Sequence, residues 1–191
     1  MTIGLFFGSF NPIHNGHLAM AQFLKEKDMF HQIWIVVSPN NPFKVNHELA
    51  DANHRLKMVE LAIRDFSFIK VCDVEFSLPL PSYTIDTLHC LDTQYPNFEF
   101  SLILGTDNIA NFHKWKNYEE ILNKYKIFVY PRGTENTNQH IKHRNIIYVD
   151  APLLPISATA IRTLLQQKKP IHNFLPDSVI QYIEEKGVYE I

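Results

Sequence analysis

The sequence predicts an α/β fold, a Rossmann-like parallel sheet with helices on both faces, formed by a single domain over residues 1–191. Three observations carry this. Short apolar runs that read as buried strands alternate with segments of helical spacing along nearly the whole chain, the pattern of parallel strands joined by crossover helices. The first such strand passes into the first such helix through a glycine-containing turn. No internal repeat, low-complexity tract or linker breaks the alternation, and 191 residues suffice for one sizeable core.

Ile3-Gly4-Leu5-Phe6-Phe7 reads as a buried strand. Leu18 to Lys25 has helical composition, with apolar residues at helical spacing. The ten residues between, Gly8-Ser9-Phe10-Asn11-Pro12-Ile13-His14-Asn15-Gly16-His17, form a strand-to-helix turn. Gly8 lets the chain leave the strand with unusual dihedrals and lets a ligand approach the backbone. Pro12 stiffens the turn. Gly16 and His17 open the helix, where unpaired N–H groups and the dipole attract anions. His14 and His17, three positions apart, can turn both rings toward one ligand. A nucleoside triphosphate suits this geometry best; a plain turn carrying two exposed histidines is the bland alternative.

Ile33 to Val37 is a second buried strand, followed by the loop Ser38 to Lys44 on the ligand side of a parallel sheet. Asp51 to Phe66 reads as a helix whose core face is Leu56, Met58, Val59, Leu61, Ala62 and Ile63, with Arg55 and Arg64 as surface charges. Phe68 to Cys72 is a third strand, and the prolines of Ser77 to Pro81 make that segment a loop. Ser82 or Thr84 can cap the helix that runs through Leu91. Phe98 to Leu104 is a fourth strand, ending in Gly105-Thr106-Asp107, again on the ligand side. Trp115 can cover a flat ring or pack in the core. Tyr118 to Lys124 is a short helix, Tyr125 to Tyr130 a fifth strand closed by Pro131-Arg132-Gly133, and Thr134 to Arg144 a polar surface excursion. Asn145 to Val149 is the last strand. Ser157 caps a further helix, and Pro176 to Lys186 is a final helix stopped by Gly187.

Composition excludes several classes. Hydrophobic residues at 46% and charged residues at 20% are ordinary for a globular protein. A net charge of −2 gives no nucleic-acid or membrane surface. No apolar stretch approaches membrane-spanning length, and no signal peptide is expected, since the N-terminal residues lack a basic region followed by a long apolar run. The two cysteines, Cys72 and Cys90, lack metal or redox spacing, so core packing in a reducing cytoplasm is expected.

His14-Asn15-Gly16-His17 after Gly8-Ser9-Phe10-Asn11-Pro12 resembles the first signature of the nucleotidyltransferase superfamily, and Ile156-Ser157-Ala158-Thr159-Ala160-Ile161-Arg162 resembles its second. Ser82-Tyr83-Thr84-Ile85-Asp86-Thr87-Leu88, Gly105-Thr106-Asp107 followed by Trp115, and the ending Tyr182-Ile183 … Gly187-Val188-Tyr189 resemble the bacterial nicotinate mononucleotide adenylyltransferases over nearly the whole chain. Class I aminoacyl-tRNA synthetases share the histidine logic but are excluded on size and the lack of a basic surface.

That resemblance implies AMP transfer from ATP to nicotinate mononucleotide, with His14, His17 and Arg162 as catalytic residues and Mg²⁺ arriving with ATP. It gives Gly8, Ser9, Phe10, Ser157 and Thr159 to ATP. Gly105 and Asp107 go to the second substrate. Asn40 and Lys44 go to its phosphate, Thr84 to the pyridine carboxylate and Trp115 to stacking on the pyridine ring. Many relatives place Arg-Pro-Gly where this chain has Pro131-Arg132-Gly133, so Arg132 is displaced by one position. No carboxylate cage for a metal is apparent. Two alternatives remain: the same chemistry on nicotinamide mononucleotide or phosphopantetheine, and a non-catalytic nucleotide sensor. The oligomeric state is open, a homo-oligomer included.

Overall fold

The computed structural model describes residues 1–42, 49–132 and 141–189. Among these, β1 (Thr2–Gly8), β2 (Gln32–Val37), β3 (Ile69–Cys72), β4 (Glu99–Gly105), β5 (Lys126–Tyr130) and β6 (Ile146–Tyr148) form one sheet in the order β3-β2-β1-β4-β5-β6. Every neighbouring pair is parallel. Period-two alternation sends successive β1 side chains to opposite faces. Ile3 and Leu5 join a core with Ile85, Leu88 and Leu91 of α3 (Thr84–Gln94) and Ile121 of α5 (Tyr118–Lys124). Phe6 joins the other core, with Leu24 of α1 (Asn15–Glu26), Met58 of α2 (Ala52–Ala62), Ile161 of α6 (Ala158–Gln166) and Val179 of α7 (Asp177–Lys186). Both sheet faces are thus covered by helices, as the sequence predicts.

The strand order positions the site. After β1 the chain moves outward through β2 and β3, then returns to place β4 on the other side of β1. The connections leaving β1 and β4 therefore diverge, opening a crevice at their carboxyl ends. A one-turn helix, α4 (Thr106–Ile109), starts directly beyond β4 on that side.

Local expectations hold unevenly. Asp51 caps α2 by accepting from Asn53 N–H at 2.8 Å, Ser157 caps α6 through Ala160 N–H at 3.2 Å, and Gly187 ends α7 with φ 61°. At α3 neither Ser82 nor Thr84 is the cap. Tyr83 holds that position without a side-chain bond, because the Ser82 hydroxyl is turned inward beside Glu75. Gly8 stays in extended strand geometry, and the left-handed residue of the turn is Phe10, φ 45°. Gly8 is needed for space: a Cβ there would meet the Phe10 ring at 2.9 Å.

Candidate active site

The turn after β1 presents its two histidines differently. His14 is the N-cap of α1 and is 3% exposed, walled in beside Tyr130, Pro131 and Ile156. His17 faces the crevice. The rings stack at 3.7 Å, 24° from parallel, and Phe6 and Phe10 meet the His17 ring edge-on at 5.7 and 5.0 Å. The His14 backbone N–H donates to His17 Nδ1 at 3.3 Å. A neutral His17 therefore carries its proton on Nε2, where it can donate to an anion. Burial, then the Arg132 guanidinium, pulls His14 down from 6.5 to about 3. His14 is thus a neutral ring at physiological pH, backing His17 rather than lining the large cleft.

That cleft, about 550 Å³, joins the two signature segments. Gly8, Ser9, Phe10 and His17 come from one side; Ser157, Thr159 and Arg162 come from the other. Arg162 reaches back across it, donating from Nη1 to the Asn11 carbonyl at 3.0 Å. The Ser9 hydroxyl is buried in the wall without a hydrogen-bond partner among the described residues. A helix N-terminus, a fixed guanidinium and hydroxyls converging on one space make an anion-binding cleft.

A smaller adjoining cavity, about 80 Å³, shares Gly8, Ser9, Asn108 and Arg132 with the first. Thr84 at the start of α3 and Trp115 line it, as do Asn41, Pro42 and Lys116. Trp115 also leans on Phe112 at 5.3 Å and packs against the core, the second of its two sequence readings. Asn40 lines neither space. Its carbonyl accepts Ser82 N–H at 3.0 Å and ties the loop after β2 to the start of α3, leaving Asn41 to face the cavity. Lys44 lies outside the described residues.

Gly105 borders the large cleft, and Asp107 stands behind it rather than in its wall. Asp107 pairs with Arg132, Oδ2 to Nη1 at 3.6 Å, and a Cβ on Gly105 would collide with the Asp107 carboxylate and meet Arg132 Cδ at 3.0 Å. The displacement of Arg132 along the sequence does not remove it from the site: it lines both spaces, its backbone held by a reciprocal pair of bonds to the Thr106 hydroxyl at 2.9 and 3.0 Å.

Two buried charged residues were not expected. Arg55, read as a surface charge, is 1% exposed. Its guanidinium donates to four carbonyls: Ser9 at 2.6 Å, Ser38 at 2.8 Å, Pro39 at 2.8 Å and Ala50 at 2.9 Å. It thereby ties the loops after β1 and β2 together beneath both cavities. Its spacing carried the signal, since Arg55 lies three and four positions before Met58 and Val59 on one helix face. Glu75 is also 1% exposed, accepts from the Thr87 hydroxyl at 2.8 Å and sits beside Ser38 and Ser82; burial pushes its carboxyl up. Arg64 is exposed as expected. Among the described residues no three His, Cys, Asp or Glu side chains stand together as a metal cage, and no helix is long and apolar enough to cross a membrane.

The cytidylyltransferase-like family model matches residues 5–164. A relative from Flavobacterium psychrophilum, described as a probable nicotinate-nucleotide adenylyltransferase, is 46% identical over 100% of both chains. One of the same description from Flavobacterium johnsoniae is 48% identical, again over 100% of both. Among solved structures, Plasmodium falciparum nicotinic acid mononucleotide adenylyltransferase complexed with NaAD superposes with a TM-score of 0.79 over 99% of this chain and 97% of that one. At 21% identity that likeness speaks for the fold.

Proposed function

The chain belongs to the cytidylyltransferase-like family, as a nicotinate-nucleotide adenylyltransferase, and we propose that its two adjoining spaces divide the substrates, ATP in the larger and nicotinate mononucleotide in the smaller. The reaction transfers AMP from ATP to nicotinate mononucleotide and releases pyrophosphate, giving nicotinate adenine dinucleotide in NAD biosynthesis. The observation that carries the division is the meeting of the two signature segments across one cleft, His17 facing Arg162 and Ser157.

The transfer needs no protein nucleophile. A phosphate oxygen of the mononucleotide attacks the α-phosphorus of ATP, and the bond to the β-phosphate oxygen breaks. Both reactants are anions, so the protein's task is to hold them together and stabilise charge on the leaving pyrophosphate. His17 Nε2–H serves the α- and β-phosphates, with His14 fixing the His17 ring from behind. Ser157, Thr159 and Arg162 serve the triphosphate tail. One unit charge pair at 4 Å contributes only ~1 kcal/mol in water but ~4 kcal/mol at an effective dielectric of about 20, so a partly closed cleft is where such contacts count. Arg132, bordering both spaces, is placed to bridge the two phosphates that react. The first N–H groups of α3 at Thr84 suit the pyridine carboxylate, and Trp115 suits its ring.

Mg²⁺ would enter with ATP, held by the triphosphate and water. Free cysteines, Cys72 buried among them, fit a cytoplasmic enzyme. The test is pyrophosphate release with ATP and Mg²⁺, comparing nicotinate mononucleotide, nicotinamide mononucleotide and phosphopantetheine. A large preference for the nicotinate form is expected, and His17→Ala should lower kcat by about 100-fold or more while the protein stays folded. Release with another acceptor alone, or unchanged turnover in His17→Ala, would discard the reading.

A further inference from the structure

Tyr189 lies two residues beyond Gly187, whose left-handed conformation ends α7. Tyr189 is itself left-handed, φ 74°, a backbone state that residues with a side chain adopt rarely and at a cost. The two turns bring the phenol inward against the core that α1 and α7 share. Its hydroxyl donates to Asn11 Oδ1 at 2.8 Å. The same oxygen accepts the Ala50 N–H at 3.0 Å, and the Asn11 carbonyl accepts Arg162 Nη1 at 3.0 Å. Asn11 belongs to the turn after β1 and lines the large cleft, whereas Tyr189 lines neither space. Three distant parts of the chain, at 50, 162 and 189, therefore converge on one residue of the catalytic turn. The phenol also feels the positive charge of both Arg55, beneath the loops, and Arg162, in the cleft.

We propose that Tyr189 is a positioning residue for the ATP half of the reaction: its hydroxyl fixes the Asn11 side chain, so that the Asn11 carbonyl holds Arg162 at a set place across the cleft. The proposal rests on the larger cleft taking ATP. A bond made only to Asn11 cannot act on substrate directly, so its loss must appear through the groups Asn11 holds. Among the described residues neither Tyr189 nor Asn11 borders the smaller cavity, so the effect is expected on one substrate.

The experiment is Tyr189→Phe, which keeps the ring and removes the hydroxyl alone. The KM for ATP should rise about tenfold, the loss expected for one hydrogen bond that orients a reacting group, with the KM for nicotinate mononucleotide within about twofold of wild type. In a cycle with Arg162→Lys, the double variant should be no worse than Arg162→Lys alone, since both changes break one linkage. A merely structural role would lower the melting temperature while leaving the two KM values and this coupling untouched. Wild-type kinetics in Tyr189→Phe, an equal rise in both KM values, or losses that multiply with Arg162→Lys would overturn the proposal. Asn11→Ala removes the same bond from the other side; the same ATP-selective loss is expected, and wild-type KM values there would overturn it too. ATP affinity read by calorimetry needs no acceptor, which separates this inference from the assignment of the second substrate.

Discussion

The His14 and His17 rings lie face to face, 3.7 Å between centroids. Two positive charges at that spacing would repel by ~4 kcal/mol even at an effective dielectric of about 20. The pair is therefore built for one charge at most, and burial with Arg132 nearby holds His14 neutral, its pKa lowered to about 3.

The stability of the protein should carry that signature. In the unfolded chain His14 titrates near 6.5, and in the folded chain near 3. Between these values the unfolded chain binds the extra proton, so the contribution is fully present above pH 6.5 and is lost as pH falls toward 3. Across the window it amounts to about 5 kcal/mol. Urea denaturation from pH 7.5 to 4.5 should show a steeper loss in wild type than in His14→Asn. Parallel curves would mean that the ring is not held neutral.

Glu75 should act with the opposite sign. Its folded pKa is raised by burial, so its favourable contribution is present below the ordinary carboxylate value and is lost as pH rises through the raised one. Glu75→Gln keeps an oxygen for the Thr87 hydroxyl and supplies an amide that can donate to Ser38 or Ser82. The variant should melt at a higher temperature than wild type at pH 7, with the gap closing near pH 4.5. A lower melting temperature at pH 7 would show that the ionised carboxylate is the form the fold requires.

The contrast between these buried groups and the rest of the site explains what the sequence could and could not reveal. Strand alternation was legible because apolar runs must be buried and glycine, proline and caps punctuate them, so β1, β2, β4 and β5 fall where expected. His17 was legible because a helix start acts through local spacing, and Ser157 and Arg162 because their segment resembles the second nucleotidyltransferase signature. Buried charges are harder to read: Glu75 accepts from Thr87, which folds against it from another element, and although the spacing of Arg55 put it on the buried helix face, its four carbonyl partners on the connections after β1 and β2 come together only in the fold. Asn40 and Asn41 stand on one loop, and only the bond from Ser82 N–H to Asn40 decides which of them faces the cavity.

Gly105→Ala tests whether Arg132 works in the site. The added methyl has no room: it collides with the Asp107 carboxylate and crowds Arg132 at Cδ and Cβ, 3.0 and 3.2 Å away. The backbone itself is unstrained, φ −76°, so the cost is crowding, about 1–3 kcal/mol of stability. Turnover should fall further than that disturbance alone would bring, by about tenfold or more, because the displaced guanidinium borders both substrates. Wild-type kcat in a correctly folded Gly105→Ala would remove Arg132 from the reaction.

Arg55 offers the sharpest comparison with Tyr189. Among the described residues the buried guanidinium is bonded to four backbone carbonyls, with the Asp51 charge near enough to favour it, and those carbonyls in turn depend on it. Lysine keeps the charge but presents one compact ammonium in place of a planar fork, and cannot reach Ser9, Ser38, Pro39 and Ala50 together. Arg55→Lys should cost about 3 kcal/mol or more in urea denaturation, and Arg55→Met, which orphans all four carbonyls, should cost at least as much. Kinetics on whatever remains folded give the sharper reading. Because the guanidinium ties the loop after β1 to the loop after β2, both KM values should rise together, whereas Tyr189→Phe should raise the one for ATP alone. A selective effect of Arg55→Lys on a single substrate would mean that the two loops move independently, and that the carbonyl clamp beneath them does not set the geometry of the cleft.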